Sequence, residues 1–338
     1  MLNKLLPKGS RTRQKLQAWY FNTHVPKAVT QNFIQLSDEK INHLKESLAR
    51  NIYASAKAPD SPEVQQDSEE LALRFQNHRV QIIPWLQSVR PLKGLRILEI
   101  GCGNGTSTVA LAEQGAVVTA IDLEQGLLND ARERCATFGV SAVFHLMNAT
   151  DVSTLLANEQ YDMILFYAVL EHMTYAERLT AIRQTYGMLL PGGLWCVIGT
   201  PNRLHFYDSH TAMLPFFYWL PDELAMKYAS FSSRPEFADR FGSNEEFTPE
   251  KELEFARWGR GVSYHEFELA LGSLKKLNIV SSLAAYLKNR GIMYRIIKNR
   301  SVNGRFSSFL RKQYPTVHEG FFDPFLDIII RKPPDFKE

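Results

Sequence analysis

The stretch RILEIGCGNGTST, Arg96 to Thr108, constrains this 338-residue chain more than any other. Arg96–Ile100 reads as a buried strand, and the residues from Ser107 onward read as a helix. Between them Gly101, Gly103 and Gly105 remove side chains at every second position. A strand, a glycine turn and a helix in that order present backbone amides at a helix N-terminus, where a ligand can lie against the main chain. A glycine cluster alone is weak, so its surroundings must decide.

Those surroundings alternate. Strands are expected at Arg96–Ile100, Val117–Ile121, Ala142–Leu146, Met163–Tyr167 and Leu194–Gly199, with helices near 106–114, 125–137, 151–158 and 175–189. Short apolar strands alternating with helices predict a mostly parallel sheet with helices on both faces. The run LLPGG (Leu189 to Gly193) reads as a helix end followed by a tight turn into strand five. Residues 1–90 read as a polar helical extension or lid, broken loosely at KAPDSPEVQQDSEE. From 201 to 262 the chain is rich in aromatics and prolines and reads as an insertion over the carboxyl ends of the strands, where open α/β sheets bind ligands. A helix at 263–272 and strands near 278–283 and 325–332 then complete the sheet. The expected organisation is therefore 1–90 extension, 91–200 ligand-binding core, 201–262 acceptor-binding cap and 263–338 completion.

Composition narrows the class. With 45% hydrophobic and 22% charged residues, the chain has a soluble, globular profile. Cys102, Cys135 and Cys196 share no short spacing, which argues against a disulfide framework or a cysteine metal site and fits a reducing cytoplasm. The beginning, MLNKLLPKGSRTRQK, lacks the apolar core of a signal peptide, and no apolar run approaches the roughly eighteen residues of a membrane span. The net charge of +3 is segregated: residues 1–37 carry six Lys or Arg and no acid. A second acid-free stretch, between Glu268 and Glu319, holds ten basic residues. Both suit solvated faces, and both suit phosphates or a peripheral contact with an anionic membrane surface.

Two ligand classes use the strand–glycine–helix geometry, dinucleotides and S-adenosylmethionine. The dinucleotide fingerprint is G-x-G-x-x-G; here the spacing is G-x-G-x-G, with Glu99 two residues before the first glycine. A carboxylate there sits poorly beside a pyrophosphate and well beside a cationic amino group. Strand two ends in VVTAID, where Asp122 is placed to accept from both ribose hydroxyls. Together with YDMILFYAVLEHM and LLPGGLWCVIGTPN, these segments resemble class I S-adenosylmethionine-dependent methyltransferases of the quinone-biosynthesis branch. The resemblance implies a seven-stranded Rossmann-like sheet whose last strand is antiparallel, with S-adenosylmethionine as cofactor and S-adenosylhomocysteine as product. By position it assigns Gly101, Cys102, Gly103 and Gly105 to the methionine moiety, with Cys102 a small spacer. Glu99 falls to the loop or the amino group and Asp122 to the ribose, with Leu123 a further cofactor contact. Asn148, with Ala149, stands where many members place an adenine-binding Asp, and Tyr167 ends strand four nearby. Asp151 is the alternative adenine ligand, or a helix cap.

The methyl acceptor is read from the segments after strands four and five. YAVLE replaces the Asn/Asp-Pro-Pro-aromatic tetrad of amino-methylating enzymes, and no Pro-Cys marks a cytosine C5 enzyme. Strand five ends in TPN without the Asp of metal-dependent catechol enzymes, so no metal is expected. In TPNRLHFYDSHTAMLPFFYWLP, Asp208 and His210 lie two apart, and a histidine oriented by an acid is the usual general base near neutral pH. His205 is a second candidate. Glu171, His172, Asn202, Arg203 and Trp219 are candidate acceptor contacts, and the aromatics from Phe206 to Trp219 form either a stacking wall or a satellite core. The order PNR, acid before His, LPFF-WLP more loosely resembles methyltransferases of bacterial glycan assembly. That likeness favours a hydroxyl on a sugar or glycolipid, phosphorylated or lipid-linked. The alternatives are a quinone-like or natural-product phenol, a non-catalytic cofactor-binding protein, and, on the basic stretches, an RNA methyltransferase, although a nucleic-acid partner is disfavoured.

Overall fold

The computed structural model describes residues 25–242, 247–274, 277–288 and 302–334. Most of the basic residues named above (1–24, Lys275, Lys276 and those in 289–300) lie outside them. The chain divides into two units.

The first unit comprises the chain up to Leu95 together with Cys102–Val118 and Glu124–Val143. Its described α-helices of seven or more residues are α1 (Asp38–Asn51), α2 (Pro62–Asn77), α3 (Ile83–Val89), α4 (Thr106–Ala112) and α5 (Gln125–Phe138). Ser37 caps α1 by accepting from the Lys40 amide, and Ser61 caps α2 with Pro62 in its first turn, the residue types that satisfy the free amides of a helix start. The break read at KAPDSPEVQQDSEE is thus only the link 52–61 between two helices. Apolar contact among Leu48, Ala49, Val64 and Leu71 joins α1 to α2. The buried Ser47 hydroxyl donates to Asp130 of α5, and buried Arg79 forks onto the Glu113 carboxylate at 2.9 Å and 2.5 Å.

His78, 2% exposed, opens a π-helical turn between α2 and α3, with Nε2 3.4 Å from the Thr106 hydroxyl. Burial, helped by Arg74, pushes its pKa down to about 3. An unfolded chain therefore takes up this proton below pH about 6.5 while the folded chain does not. The stability contributed by a neutral His78 is complete above that pH and is lost as pH falls toward 3. Between pH 7 and 5 the loss is about 2 kcal/mol. Denaturant titrations at both pH values are expected to show that loss shrinking in His78→Gln; an unchanged pH dependence would contradict the assignment.

The second unit holds the sheet: Arg96–Gly101, Thr119–Leu123 and everything from Phe144. Its strands are β1 (Arg96–Ile100), β2 (Val117–Asp122), β3 (Val143–Leu146), β4 (Tyr161–Tyr167), β5 (Leu189–Pro201), β6 (Asn278–Ser282) and β7 (Phe325–Arg331). They lie in the order β3-β2-β1-β4-β5-β7-β6. β1/β4 and β4/β5 pair parallel, whereas β7 runs antiparallel to both β5 and β6. This is the mostly parallel Rossmann-like sheet expected, with the last strand of the chain antiparallel and helices around it.

Alternation along the strands builds the core. Leu98 and Ile100, Ile164 and Phe166, Trp195 and Val197, and Leu326, Ile328 and Ile330 point to one face, as a period of two requires. There they meet Ala181, Ile182 and Tyr186 of α6 (Tyr175–Gly187) and, further on, Phe267. Trp195 is buried against Phe166 and Phe267, ring centroids 5.1 Å and 5.8 Å away, and its indole N–H donates to Thr185 at 3.0 Å. The intervening Ile97, Met163, Leu165 and Cys196 are buried as well, so these strands read as continuous apolar runs.

Two elements differ from the sequence expectation. β5 begins at Leu189, inside LLPGG: Tyr161 pairs with Leu189, then Met163 with Leu194. Four β5 residues, 190–193, therefore oppose Asp162 alone on β4, an extended bulge in which Pro191 needs no amide and Gly192 takes φ 75°. The insertion, in turn, folds on itself through α7 (Asp222–Tyr228), α8 (Pro235–Phe241) and α9 (Pro249–Trp258). Phe217, Tyr218, Phe237, Phe241 and Phe255 pack into its own core. α10 (Tyr264–Leu271), α11 (Leu283–Lys288) and α12 (Val302–Gln313) come next along the chain. Of the expected aromatic wall, Phe217 and Tyr218 are buried in that satellite core, while Phe216 and Trp219 stay exposed with rings 5.3 Å apart.

Candidate active site

The carboxyl ends of the strands carry the sequence-nominated cofactor residues. Glu99 is 1% exposed in β1, and Asp122 is half-buried at the last position of β2, its carbonyl accepting from the Met147 amide at 3.1 Å. Gly101 turns out of β1 at φ 70°, its amide donating to Ile121 at 2.9 Å. A Cβ at Gly101 would collide with the Val169 side chain, so close packing with the chain after β4 requires glycine here. Gly105 is packed likewise against Ala131, whereas a Cβ at Gly103 would meet nothing within 4 Å. Open space beside bare backbone is therefore found at Gly103, and buried Cys102 is a small residue of the loop. Asn148 is half-buried, and its side-chain oxygen accepts from the Thr150 amide at 3.0 Å, which leaves a second lone pair. Leu123 is exposed, Ala149 buried and Tyr167 half-buried. Asp151 makes no side-chain cap on the short helix it precedes.

At the ends of β4 and β5 a second constellation forms. After β4 the chain passes Ala168, at φ 51°, into a 3-10 turn, Leu170–His172. The buried Arg178 guanidinium anchors this turn, donating to the Leu170 and Glu171 carbonyls at 2.7 Å and 3.1 Å. It also reaches the Arg260 carbonyl at 2.7 Å and the Glu266 carboxylate at 3.4 Å. Glu177 closes a capping box with Thr174 and receives Arg257 bidentately at 2.5 Å and 2.6 Å. Arg257 in turn donates to the His172 carbonyl at 3.0 Å.

Three acceptor atoms converge there. His172 Nδ1 lies 2.8 Å from the Arg257 carbonyl, so Nδ1 carries the proton and Nε2 is bare. Thr211 donates its hydroxyl proton to the Gly259 carbonyl at 3.0 Å, so it accepts from His210 Nδ1 at 3.2 Å, and His210 Nε2 is bare too. Both nitrogens face Glu171 Oε1, at 4.0 Å from His172 and 3.7 Å from His210. Glu171 is fully buried; its Oε2 accepts from Thr200 at 3.1 Å, and Oε1 has no hydrogen-bond partner among the described residues. Burial raises the Glu171 carboxyl to about 7. Burial, then the neighbouring His172, pushes His210 down to about 4, and burial lowers His172 as well. Gly259 makes the arrangement possible: at φ 119°, a Cβ there would stand 2.8 Å from Thr211 Oγ1 and 3.5 Å from His210 Nδ1. A cavity of about 450 Å³ opens over the histidines, lined by His172, His210, Arg234, Glu254, Arg257 and Trp258, a size suited to a small organic molecule.

The other nominated acceptor residues are placed differently. Asp208 does not orient the His210 ring. Its Oδ1 accepts from the His210 and Thr211 amides at 2.8 Å and 2.9 Å and from the Tyr218 hydroxyl at 2.6 Å, and its Oδ2 accepts from the Ala212 amide. An aspartate two residues before its partner in a loop bonds the backbone first; the acid facing His210 is Glu171. His205 is 2% exposed with Nε2 3.1 Å from the Phe322 carbonyl, which places it in packing and away from the cavity. Asn202 is fully buried, donating to the Phe321 and Asp323 carbonyls and accepting from the Leu204 amide. Trp219 donates to the Arg203 carbonyl at 2.8 Å, and neither residue lines the cavity. Within ARWGRG, Arg257 and Trp258 line it, while Arg260 is tied to the Phe217 and Leu220 carbonyls and to Asp222. Arg234, from outside every motif, donates to the His210 carbonyl at 2.8 Å.

Residues 97–193 match the family model of a methyltransferase domain. The ubiquinone biosynthesis O-methyltransferase of Ruegeria pomeroyi is 36% identical over 118 residues, covering 35% of this chain and 46% of that protein. Its counterpart in Bordetella avium is 33% identical over 122 residues, covering 36% and 49%. The chain spans about half the length of the curated relatives it matches. A crystal structure of magnesium protoporphyrin IX methyltransferase from Synechocystis aligns at 17% identity and a TM-score of 0.35, over 49% of this chain and 74% of that one; so distant a likeness adds no argument. Motifs, sheet and domain match agree: residues 97–193 form a methyltransferase domain, set in a sheet of the class I S-adenosylmethionine-dependent kind.

Proposed function

We propose that this protein is an S-adenosylmethionine-dependent O-methyltransferase acting on a phenolic hydroxyl of a small aromatic or quinone-like molecule. The observation that carries the reading is the convergence of His210 and Glu171 at the cavity beyond β4 and β5. The relatives with the matching domain are O-methyltransferases of ubiquinone biosynthesis, which favours the phenol over the glycan suggested by the PNR and LPFF-WLP segments.

Within the second unit, the fit to the cofactor rests on the left-handed turn at Gly101 as the chain leaves β1 and on Asp122 at the end of β2. Glu99, Gly101, Asp122 and Asn148 are its proposed contacts within the second unit. S-adenosylmethionine, when bound, supplies a sulfonium-activated methyl group. The residues around the cavity hold the acceptor oxygen in line, and near-attack positioning is worth up to roughly 7–11 kcal/mol. His210 Nε2 takes the phenol proton, and the Glu171 carboxylate stabilises the imidazolium or receives the proton, so the pair titrates as a unit. The Arg234 guanidinium, which lines the same cavity, favours the developing phenolate.

Supply of isotopically labelled S-adenosylmethionine with a panel of catechol-type phenols and phosphorylated sugars tests the acceptor class. Label is expected in phenol products; transfer to sugars alone would reverse the choice. Asp122→Ala is expected to weaken cofactor binding tenfold or more, since each charge-assisted hydrogen bond contributes about 1.5–3 kcal/mol. Unchanged affinity by calorimetry would remove Asp122 from the site.

A further inference from the structure

We infer that Glu171, His172 and His210 form a binding site for one divalent transition-metal ion of the zinc class. One ligand atom from each residue lies within 4.8 Å of the other two, and Glu171 Oε1 faces both Nε2 nitrogens. Tetrahedral coordination at about 2.0–2.2 Å places ligand atoms about 3.3–3.6 Å apart. The carboxylate-to-imidazole separations of 3.7 Å and 4.0 Å are only slightly wider, within the reach of small side-chain rotations.

The surroundings prepare these atoms for a cation. Each histidine has its tautomer set from behind, His172 by the Arg257 carbonyl and His210 by Thr211, which is itself held by Gly259. Such outer contacts turn the bare nitrogen toward a metal. Glu171 Oε1 is buried with no hydrogen-bond partner among the described residues, a costly state for a carboxylate oxygen unless a proton or cation sits against it. The nearby guanidinium groups of Arg178 and Arg257 are offset by Glu266 and Glu177, so Arg234, which lines the same cavity and acts on His210, is the positive charge an ion there has to tolerate. The fourth position opens to the cavity that both histidines line, and two imidazoles with one carboxylate suit zinc-class ions over magnesium or calcium. His210, contributed by the insertion, completes a set that no local spacing in the chain reveals.

The consequence for activity rests on the proposed base role of His210: the ion and the acceptor's proton compete for the same nitrogen, so occupancy lowers methyl transfer and chelation restores it. The test titrates zinc, and cobalt(II) as a visible-absorbing probe, into the metal-stripped full chain. Expected are one equivalent bound and a tenfold or greater loss of affinity in both His210→Ala and Glu171→Gln. S-adenosylhomocysteine affinity, measured on the same samples, reports that the variants are folded. No stoichiometric binding, or binding unchanged in folded variants, would overturn the site. Turnover raised by zinc would instead overturn the base role and leave the metal site standing.

Discussion

Replacing His210 by alanine is expected to slow methyl transfer by roughly two orders of magnitude or more while leaving affinity for S-adenosylhomocysteine as it was. His210 Nε2 is bare because Nδ1 is committed to Thr211, and it lines the cavity with Glu171 behind it. Its removal takes away the proton acceptor and leaves the packing of the insertion core, in which it takes no part. Glu171→Gln keeps the shape and the Thr200 contact but removes the charge that stabilises the imidazolium, so turnover should fall there as well. Single-turnover rates separate these effects from binding. A His210→Ala variant with near-normal turnover would put the base elsewhere.

Arg178→Met is expected to destabilise the protein by about 3–5 kcal/mol, the usual cost of breaking a buried ion pair from one side. Its guanidinium serves the Leu170, Glu171, Arg260 and Gly261 carbonyls and the Glu266 carboxylate. Methionine fills much of the volume but leaves Glu266 charged and takes the guanidinium from the Arg260 and Gly261 carbonyls, whereas Leu170 and Glu171 keep the Met173 and Arg260 amides. Because the Leu170–His172 turn carries both Glu171 and His172, turnover should fall further than the unfolded fraction accounts for. Urea midpoints compared with the wild type check the first expectation. A shift below about 1 kcal/mol would mean that water replaces the guanidinium.

The strands were legible because a buried parallel sheet needs apolar runs, and β1, β2, β3, β4, β6 and β7 fall within two residues of the bounds expected for them. β5 was read short because Pro191, Gly192 and Gly193 look like a turn, whereas the register with β4 and β7 absorbs them as a bulge. The insertion gave no period because its helices are brief and bury residues against one another at irregular spacing. At the site, local spacing misled where it was most suggestive. Asp208 and His210 are two apart, and that closeness is what commits the aspartate to backbone amides. Glu171 and His210 are joined only because β4 and β5 are neighbours and the insertion begins at the end of β5. Arg178, Arg234 and Gly259 carry no motif at all; their roles arise from carbonyls and a close approach that exist only in the fold.

The most direct measurement is a calorimetric titration of the purified protein with S-adenosylhomocysteine, with NAD as the control ligand and Asp122→Ala alongside. Micromolar binding of S-adenosylhomocysteine, absent for NAD and weakened in the variant, is the predicted result. No binding, or a preference for NAD, would contradict the account, because the glycine loop after β1 would then serve another ligand or none.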